Sequence, residues 1–147
     1  MRLLRVRASS LVLTAAALLV PTLLSPVPAQ AAATCHGNAC DGKNPVAAGC
    51  SADAETVPSS QVPTGSEPHV RAWLRYSKAC HAVWAQAPAS DGWNFRIQIR
   101  GGTTYSGTTL NSGPTYTLMV GADHEHRVGL QDVDGQWDNG PWRKGGS

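Results

Sequence analysis

The clearest pattern of apolar and polar positions runs through residues 93–100, where the two classes alternate without exception. The apolar positions are Trp93, Phe95, Ile97 and Ile99. Successive side chains of a strand point to opposite faces, so this period of two predicts a strand with one covered face. Gly101 and Gly102 then predict a two-residue hairpin turn, which returns a threonine-rich strand over residues 103–110.

Other segments predict further short strands. Residues 70–76 alternate in the same way and are expected to form a half-buried strand. A polar strand is expected over residues 54–62, and two more strands at residues 115–120 and 127–130, on either side of a loop. The pattern predicts a mainly-β fold of about five or six antiparallel strands, arranged as a small barrel or sandwich.

One short helix is expected among these strands. Ser77 is a typical helix cap, and residues 78–87 are predicted to form about two helical turns before Pro88 stops them. Asn44 is similarly placed to cap a single helical turn that Gly49 ends.

The first 31 residues have the anatomy of a cleavable secretory signal, with a basic start, an apolar run over residues 11–24 and small residues after it. Cleavage after Ala31 is favoured, although cleavage after Ala33 fits the same rule. A retained membrane anchor is the alternative. Pro21 and Pro26 interrupt the apolar run, which is shorter than the ~20 residues that span a bilayer. We therefore expect a secreted, extracellular protein with no membrane attachment after cleavage.

Removal of the first 31 of 147 residues leaves 116, which is enough for one domain. That domain is expected over residues 32–136, and the polar remainder, residues 137–147, is expected to be a flexible tail. Three of the 12 basic residues lie in the signal, so nine remain against 10 acidic ones. Nucleic-acid binders need a clustered basic face, and so this class of partner is excluded.

Four cysteines, Cys35, Cys40, Cys50 and Cys80, remain after the signal. An even number in an oxidising compartment predicts two disulfides, whereas a zinc site is disfavoured because the paired C-x2-C spacing is absent. All three pairings are open. The favoured one joins Cys35 to Cys40 and Cys50 to Cys80, and the second bond would contribute about 3.5 kcal/mol by closing a loop of about 30 residues. The predicted fold is therefore disulfide-stapled.

No constellation specifies a metal site, and no cofactor is expected. His124 and His126, two residues apart, are the only weak metal candidates. A second acidic set resembles part of a calcium loop, namely Asp132, Asp134 and Asp138. Aligning its glycine with that loop places Leu130 at the first ligand position, which breaks the pattern.

Catalytic motifs are also absent, and no catalytic residue is assigned. His36, His69 and His81 are scattered singly, and Ser106 lacks the glycine pattern of a nucleophile elbow. A small secreted hydrolase remains an alternative because distant residues can still meet in the fold. A secreted inhibitor that presents the loop at residues 58–68 is another.

The tryptophans suggest a binding function. Trp137 and Trp142 lie in a polar segment, and Trp73 lies on the polar face of its strand between Arg71 and Arg75. Exposed indole rings stack on sugars or dock on proteins, so these three are the predicted ligand-binding residues. The alternatives are that Trp137 and Trp142 fold back over an open end of the barrel, and that Trp73 stacks with its neighbouring arginines. We expect a non-enzymatic binding domain for a cell-envelope glycan or an extracellular protein.

Two motifs together carry a family resemblance. Residues 35–45 read CHGNACDGKNP, and residues 74–85 contain the element LRYSxxCxxxWA. This combination resembles the YjfA-like domain of unknown function number 2690. The resemblance implies an exported, disulfide-containing domain and no assigned activity.

Overall fold

Two antiparallel sheets organise the chain in a computed structural model, which describes residues 32–65 and 68–146. The first sheet contains β1 (Glu55–Thr56), β2 (Val62–Pro63), β3 (Arg71–Ser77), β4 (Ala82–Ala87), β7 (Thr115–Tyr116) and β8 (Val120–Gly121). The second contains β5 (Asn94–Ile99), β6 (Thr104–Thr108), β9 (His126–Gln131) and β10 (Trp137–Asn139), in the order β10-β9-β5-β6. The mainly-β antiparallel prediction is confirmed, although the described strands are shorter and more numerous than expected. The predicted signal at residues 1–31 lies outside the described residues.

The hairpin predicted from the strict alternation is present. β5 and β6 pair with Ile97 opposite Tyr105. The backbone N–H of Ile99 donates to the carbonyl of Thr103 at 3.0 Å, so the loop holds three residues rather than two. Gly101 has a φ of 70°, the left-handed conformation that glycine adopts without steric cost.

The helix predicted at residues 78–87 is wrong, because most of this segment is β4. The local signal exists but lasts only one turn, in which the Ser77 hydroxyl oxygen accepts a hydrogen bond from the Cys80 N–H at 3.1 Å. β4 is then a central strand, with β3 on one side and β7 and β8 on the other. A strand covered on both faces shows no alternation, and so its apolar run can be mistaken for a buried helix.

The segment expected to be a flexible tail instead joins the second sheet. β10 pairs with β9, and the Gly140 N–H donates to the Val128 carbonyl at 2.9 Å. Arg143 and His126 exchange two backbone hydrogen bonds of 2.8 Å. The domain therefore continues past residue 136, because the free edge of β9 supplies partners that the tail's composition does not reveal.

Two apolar clusters hold the fold together. The larger lies between the sheets and includes Phe95, Ile97 and Leu130, which are fully buried. The smaller, which we call the cystine cluster, comprises Cys40, Ala48, Cys50, Cys80, Ala82, Trp84 and Met119. Disulfides join Cys35 to Cys40 and Cys50 to Cys80, the same pairing that the sequence favours. Among the described residues, no helix is long and apolar enough to cross a membrane.

Candidate functional site

The outer face of the second sheet gathers arginine and tryptophan side chains, and we call it the arginine–tryptophan face. It consists of Arg96, Arg100, Arg127, Trp137 and Trp142. Arg96 lies between the buried Phe95 and Ile97 on β5, so strand alternation points its side chain away from the core. Arg127 points outward in the same way, between the buried His126 and Val128 of β9.

The guanidinium groups of this face stack on the indole rings. The Arg96 Cζ lies 3.9 Å from the centroid of the Trp137 ring. The Cζ atoms of Arg127 and Arg100 lie 4.4 Å and 4.8 Å from the centroid of the Trp142 ring. Stacking of this kind is attractive and orients the guanidinium plane. The two rings are also partly buried. The stacked guanidiniums therefore cover much of the remaining flat surface that a sugar would contact.

The face carries surplus positive charge. Arg100 forms an ion pair with Glu125 at 3.0 Å, whereas Arg96 and Arg127 form none with any described residue. Neutral amides hold these two instead: the Asn139 Oδ1 accepts from Arg96 at 3.1 Å, and the Gln98 Oε1 accepts from Arg127 at 2.9 Å. Burial, together with the charge of Arg127, lowers the pKa of Arg96 from its ordinary value. The two unpaired cations therefore repel each other mildly.

A glycine makes room for this arrangement. Gly129 lies opposite both Arg96 and Asn139 in the sheet. A Cβ at Gly129 would lie 2.7 Å from the Asn139 Oδ1 and 3.2 Å from the Arg96 Nε. Any larger residue would therefore displace the guanidinium or its amide partner.

An open groove of about 510 Å³ lies at one end of the same sheet, and we call it the end groove. Its lining includes Asp91, Trp93, Asn94, Gln131, Asp132 and Val133. Gln131 is the cross-strand partner of Trp137, so the groove adjoins the arginine–tryptophan face. A hydrogen bond of 2.9 Å from the Asn94 side chain to the Gln131 Oε1 fixes both amides.

Trp73, the third predicted ligand-binding residue, lies apart from this face. It is on β3 of the first sheet, opposite Gln86 of β4. Trp137 and Trp142 are brought together with arginines, and Trp73 belongs to the other sheet.

The two histidines predicted as weak metal candidates point to different partners. The His124 Nε2 lies 2.9 Å from the Asp41 carboxylate. His126 is fully buried, its Nδ1 lies 2.8 Å from the His124 carbonyl, and its Nε2 has no partner among the described residues. Burial lowers the pKa of His126, and the hydrogen bond to the carbonyl opposes that effect.

The cysteines are the one set of described side chains whose ligand atoms lie close enough together to hold a metal ion. Within residues 32–65 and 68–146, the four cysteine sulfurs are the only group of three or more ligand atoms that lie within 4.8 Å of one another, and disulfides occupy them. The acidic residues compared with a calcium loop are used in turns. The Asp132 Oδ1 accepts from the Asp134 and Gln136 N–H groups, and the Asp138 Oδ2 accepts from Gly65.

A cluster that the sequence did not single out joins three distant segments. The Tyr76 hydroxyl lies 3.1 Å from the His81 Nδ1, and the His81 Nε2 lies 3.2 Å from the Asp123 carboxylate. The His36 ring stacks on His81 with centroids 5.5 Å apart. His81 has a φ of 47°, a strained conformation for a residue other than glycine. The order hydroxyl, imidazole, carboxylate is the order found in nucleophilic triads.

Comparison with known proteins places the chain in a family. No curated protein and no solved structure matches it. The family model DUF2690, described as a protein of unknown function, matches residues 38–129. The matched range includes β5 and the first four residues of β9, and it ends before Trp137 and Trp142. The match supports the family and does not test the YjfA-like label. The chain therefore belongs to the DUF2690 family of proteins of unknown function.

Proposed function

We propose that this protein is a secreted, non-enzymatic binding domain whose arginine–tryptophan face binds an anionic glycan of the cell envelope. The observation that carries the proposal is the pair Arg96 and Arg127, two oriented guanidiniums without a carboxylate partner among the described residues. The signal-like start and the two disulfides support an extracellular location.

The chemistry of the face favours an anion over a neutral sugar. Guanidinium N–H groups bind phosphate and carboxylate in pairs, and stacking on an indole holds them in place before the ligand arrives. The rings themselves are partly covered by these cations, so the faces of Trp137 and Trp142 are less available to a sugar ring. Envelope polymers that carry phosphate or carboxylate groups offer the complementary charge.

The direct test is sedimentation of the purified mature protein with insoluble bacterial cell wall. We expect the Arg96→Gln/Arg127→Gln variant to bind about tenfold more weakly than the wild type, because two charged hydrogen-bonding groups are lost. Added salt should weaken wild-type binding, since the contacts are exposed to solvent. The matched control, Arg71→Gln/Arg75→Gln, removes the same charge from β3 of the other sheet and should bind like the wild type.

Two results would contradict the proposal. If the Arg96→Gln/Arg127→Gln variant pellets as well as the wild type, the face is not the binding surface. If no protein pellets at all, an envelope glycan is not the ligand, and an extracellular protein becomes the better partner.

A Trp137→Ala/Trp142→Ala variant that pellets like the wild type would show that the rings do not help to orient the arginines.

A specific observation favours a hydrolase as the second candidate. Asp123 can only accept a hydrogen bond when ionised, so the His81 Nε2 carries the proton and Nδ1 is free to accept from the Tyr76 hydroxyl. Such a tyrosine should react with an aryl sulfonyl fluoride faster than the exposed Tyr116. The S–F bond breaks as the Tyr76 Oη–S bond forms, and the phenol proton passes to His81. Peptide mapping that finds equal labelling of both tyrosines, or no slowing in His81→Gln, would rule this candidate out.

A further inference from the structure

We infer that the end groove is a second subsite for the same ligand, which takes a neutral sugar unit through its hydroxyl groups. This inference rests on the proposed function, because it assigns the groove to the glycan that the arginine–tryptophan face holds. Its volume of about 510 Å³ falls within the range of about 300–1,000 Å³ that is usual for ligand sites.

The carboxylates of the groove each have one oxygen committed to the protein and one unused. The Asp132 Oδ1 accepts from the N–H groups of Asp134 and Gln136 at 3.0 and 2.8 Å. The Asp91 Oδ1 accepts from the Asn111 side-chain amide. Among the described residues, neither Oδ2 atom accepts a hydrogen bond. Each is therefore a fixed, charged acceptor that can take one or two sugar hydroxyl groups.

The remaining lining fits a sugar as well. The amides of Asn94 and Gln131 are held by a hydrogen bond to each other, and Thr108 donates to the Asn94 Oδ1 at 2.8 Å. Ligand sites combine a few fixed polar groups of this kind with aromatic surface. Trp93 is partly buried against the core, and the part of it that lines the groove supplies an apolar surface against which the C–H face of a sugar can pack.

The charge of the groove selects the type of occupant. Two carboxylates repel a phosphate or carboxylate group, so an anionic part of the ligand is excluded from this end and a neutral part is accepted. A divalent cation is a poorer fit, because no three carboxylate or imidazole ligand atoms among the described residues lie within 4.8 Å of one another. The groove and the cationic face thus have opposite charge at adjacent positions on one sheet.

One polymer can occupy both the end groove and the arginine–tryptophan face, because the two sites are adjacent. Gln131 lines the groove and is the cross-strand partner of Trp137, which carries the Arg96 stack. Cross-strand partners lie about 5 Å apart, which is less than the length of one sugar unit. A glycan that alternates neutral sugars with anionic groups would therefore contact the groove and the arginines at once.

The experiment compares intact cell wall with wall from which the phosphate-containing polymers have been extracted by acid. The test variant is Asp91→Asn/Asp132→Asn. Asparagine keeps the committed Oδ1 acceptor and replaces only the unused oxygen with an amide donor, so the turn and the fold are preserved. Circular dichroism and thermal melting of each variant check that this is so. Asp134→Asn is the matched control, because Asp134 lies two residues away and does not line the groove.

We expect the wild type to bind extracted wall more weakly than intact wall, and the double asparagine variant to bind extracted wall about tenfold more weakly still. Asp134→Asn should bind extracted wall like the wild type, because Asp134 does not line the groove. If the wild type does not bind extracted wall, or if the double asparagine variant binds it equally well, the groove is not a sugar subsite. The proposed function survives either result provided that Arg96→Gln/Arg127→Gln still weakens binding to intact wall, and it fails separately if that variant does not.

Discussion

Trp84 and Trp142 are the same residue type in opposite surroundings. Trp84 is 3% exposed and packs in the cystine cluster beside Cys50, Cys80 and Met119. Trp142 is half-buried on the outside of the second sheet, with two guanidiniums on its ring. The first ring is used for stability. The second orients charged groups that face solvent, which is the reason for proposing recognition on the sheet face and structural support at the cystine end.

The largest effect that separates the two regions should come from Trp84→Ala. A large buried aromatic leaves a cavity, and its loss should reduce the free energy of unfolding by about 4 kcal/mol. Trp142→Ala should cost about 1 kcal/mol, because that ring is only partly buried and lies on the surface of the sheet. Urea unfolding followed by circular dichroism measures both. Equal losses for the two variants would break the distinction.

Removal of the Cys50–Cys80 disulfide by a double change to alanine should cost about 3.5 kcal/mol, since it frees a loop of 30 residues in the unfolded chain. The Cys35–Cys40 bond closes a loop of only 5 residues, and the same change there should cost about 2 kcal/mol. The measurement is again urea unfolding. Wall binding by the fraction that stays folded should not change in either variant, and a loss of binding would mean that the cystine cluster contributes to recognition.

Acid should destabilise the fold through His126, which lies on the inner side of β9. Arg127 lies on the outer side of the same strand. Burial lowers the pKa of His126 below its ordinary value of 6.5, so the unfolded chain takes up a proton before the folded protein does. Stability is therefore full above about pH 6.5 and falls below it, by at most about 1.4 kcal/mol per pH unit. Urea unfolding at several pH values should show this slope, and His126→Gln should lack the contribution. An unchanged slope in that variant would assign the pH dependence to other groups.

A small change in stability, with a clear change in binding, is expected for Gly129→Ala. The added Cβ would displace the Asn139 amide or the Arg96 guanidinium, both of which are side-chain ends that can move, so the cost should be about 1 kcal/mol. Binding to intact wall should nevertheless fall, because Arg96 loses its orientation on Trp137. Normal binding by a folded Gly129→Ala protein would show that this orientation does not matter.

The sequence predicted those strands that have one face buried and the other exposed to solvent. β3 and β5 are half-buried, and their alternation indicated strands correctly. β4 is covered on both sides, so its run of apolar residues carried no period and suggested a helix instead. β10 has no pattern of its own and is fixed by the edge of β9, which no local sequence can reveal.

The candidate site was predicted in the same uneven way. Trp137 and Trp142 could be found because they stand out in a polar segment, and the interaction of indole with arginine was foreseen at Trp73. Their actual partners come from β5 and β9, more than 10 residues away in sequence. The chain of Tyr76, His81 and Asp123 was missed because a turn and a distant loop had to meet before its order was visible.

The pairing of the C-terminal segment with β9 has a consequence for any shortened form of the protein. A chain that ends at residue 136 would lose β10 and the reciprocal bonds between Arg143 and His126. The backbone groups of β9 would then lie uncovered along one edge, as a template on which a second molecule could add a strand. Such a fragment would tend to self-associate, and its precipitation would say nothing about whether the intact domain is monomeric.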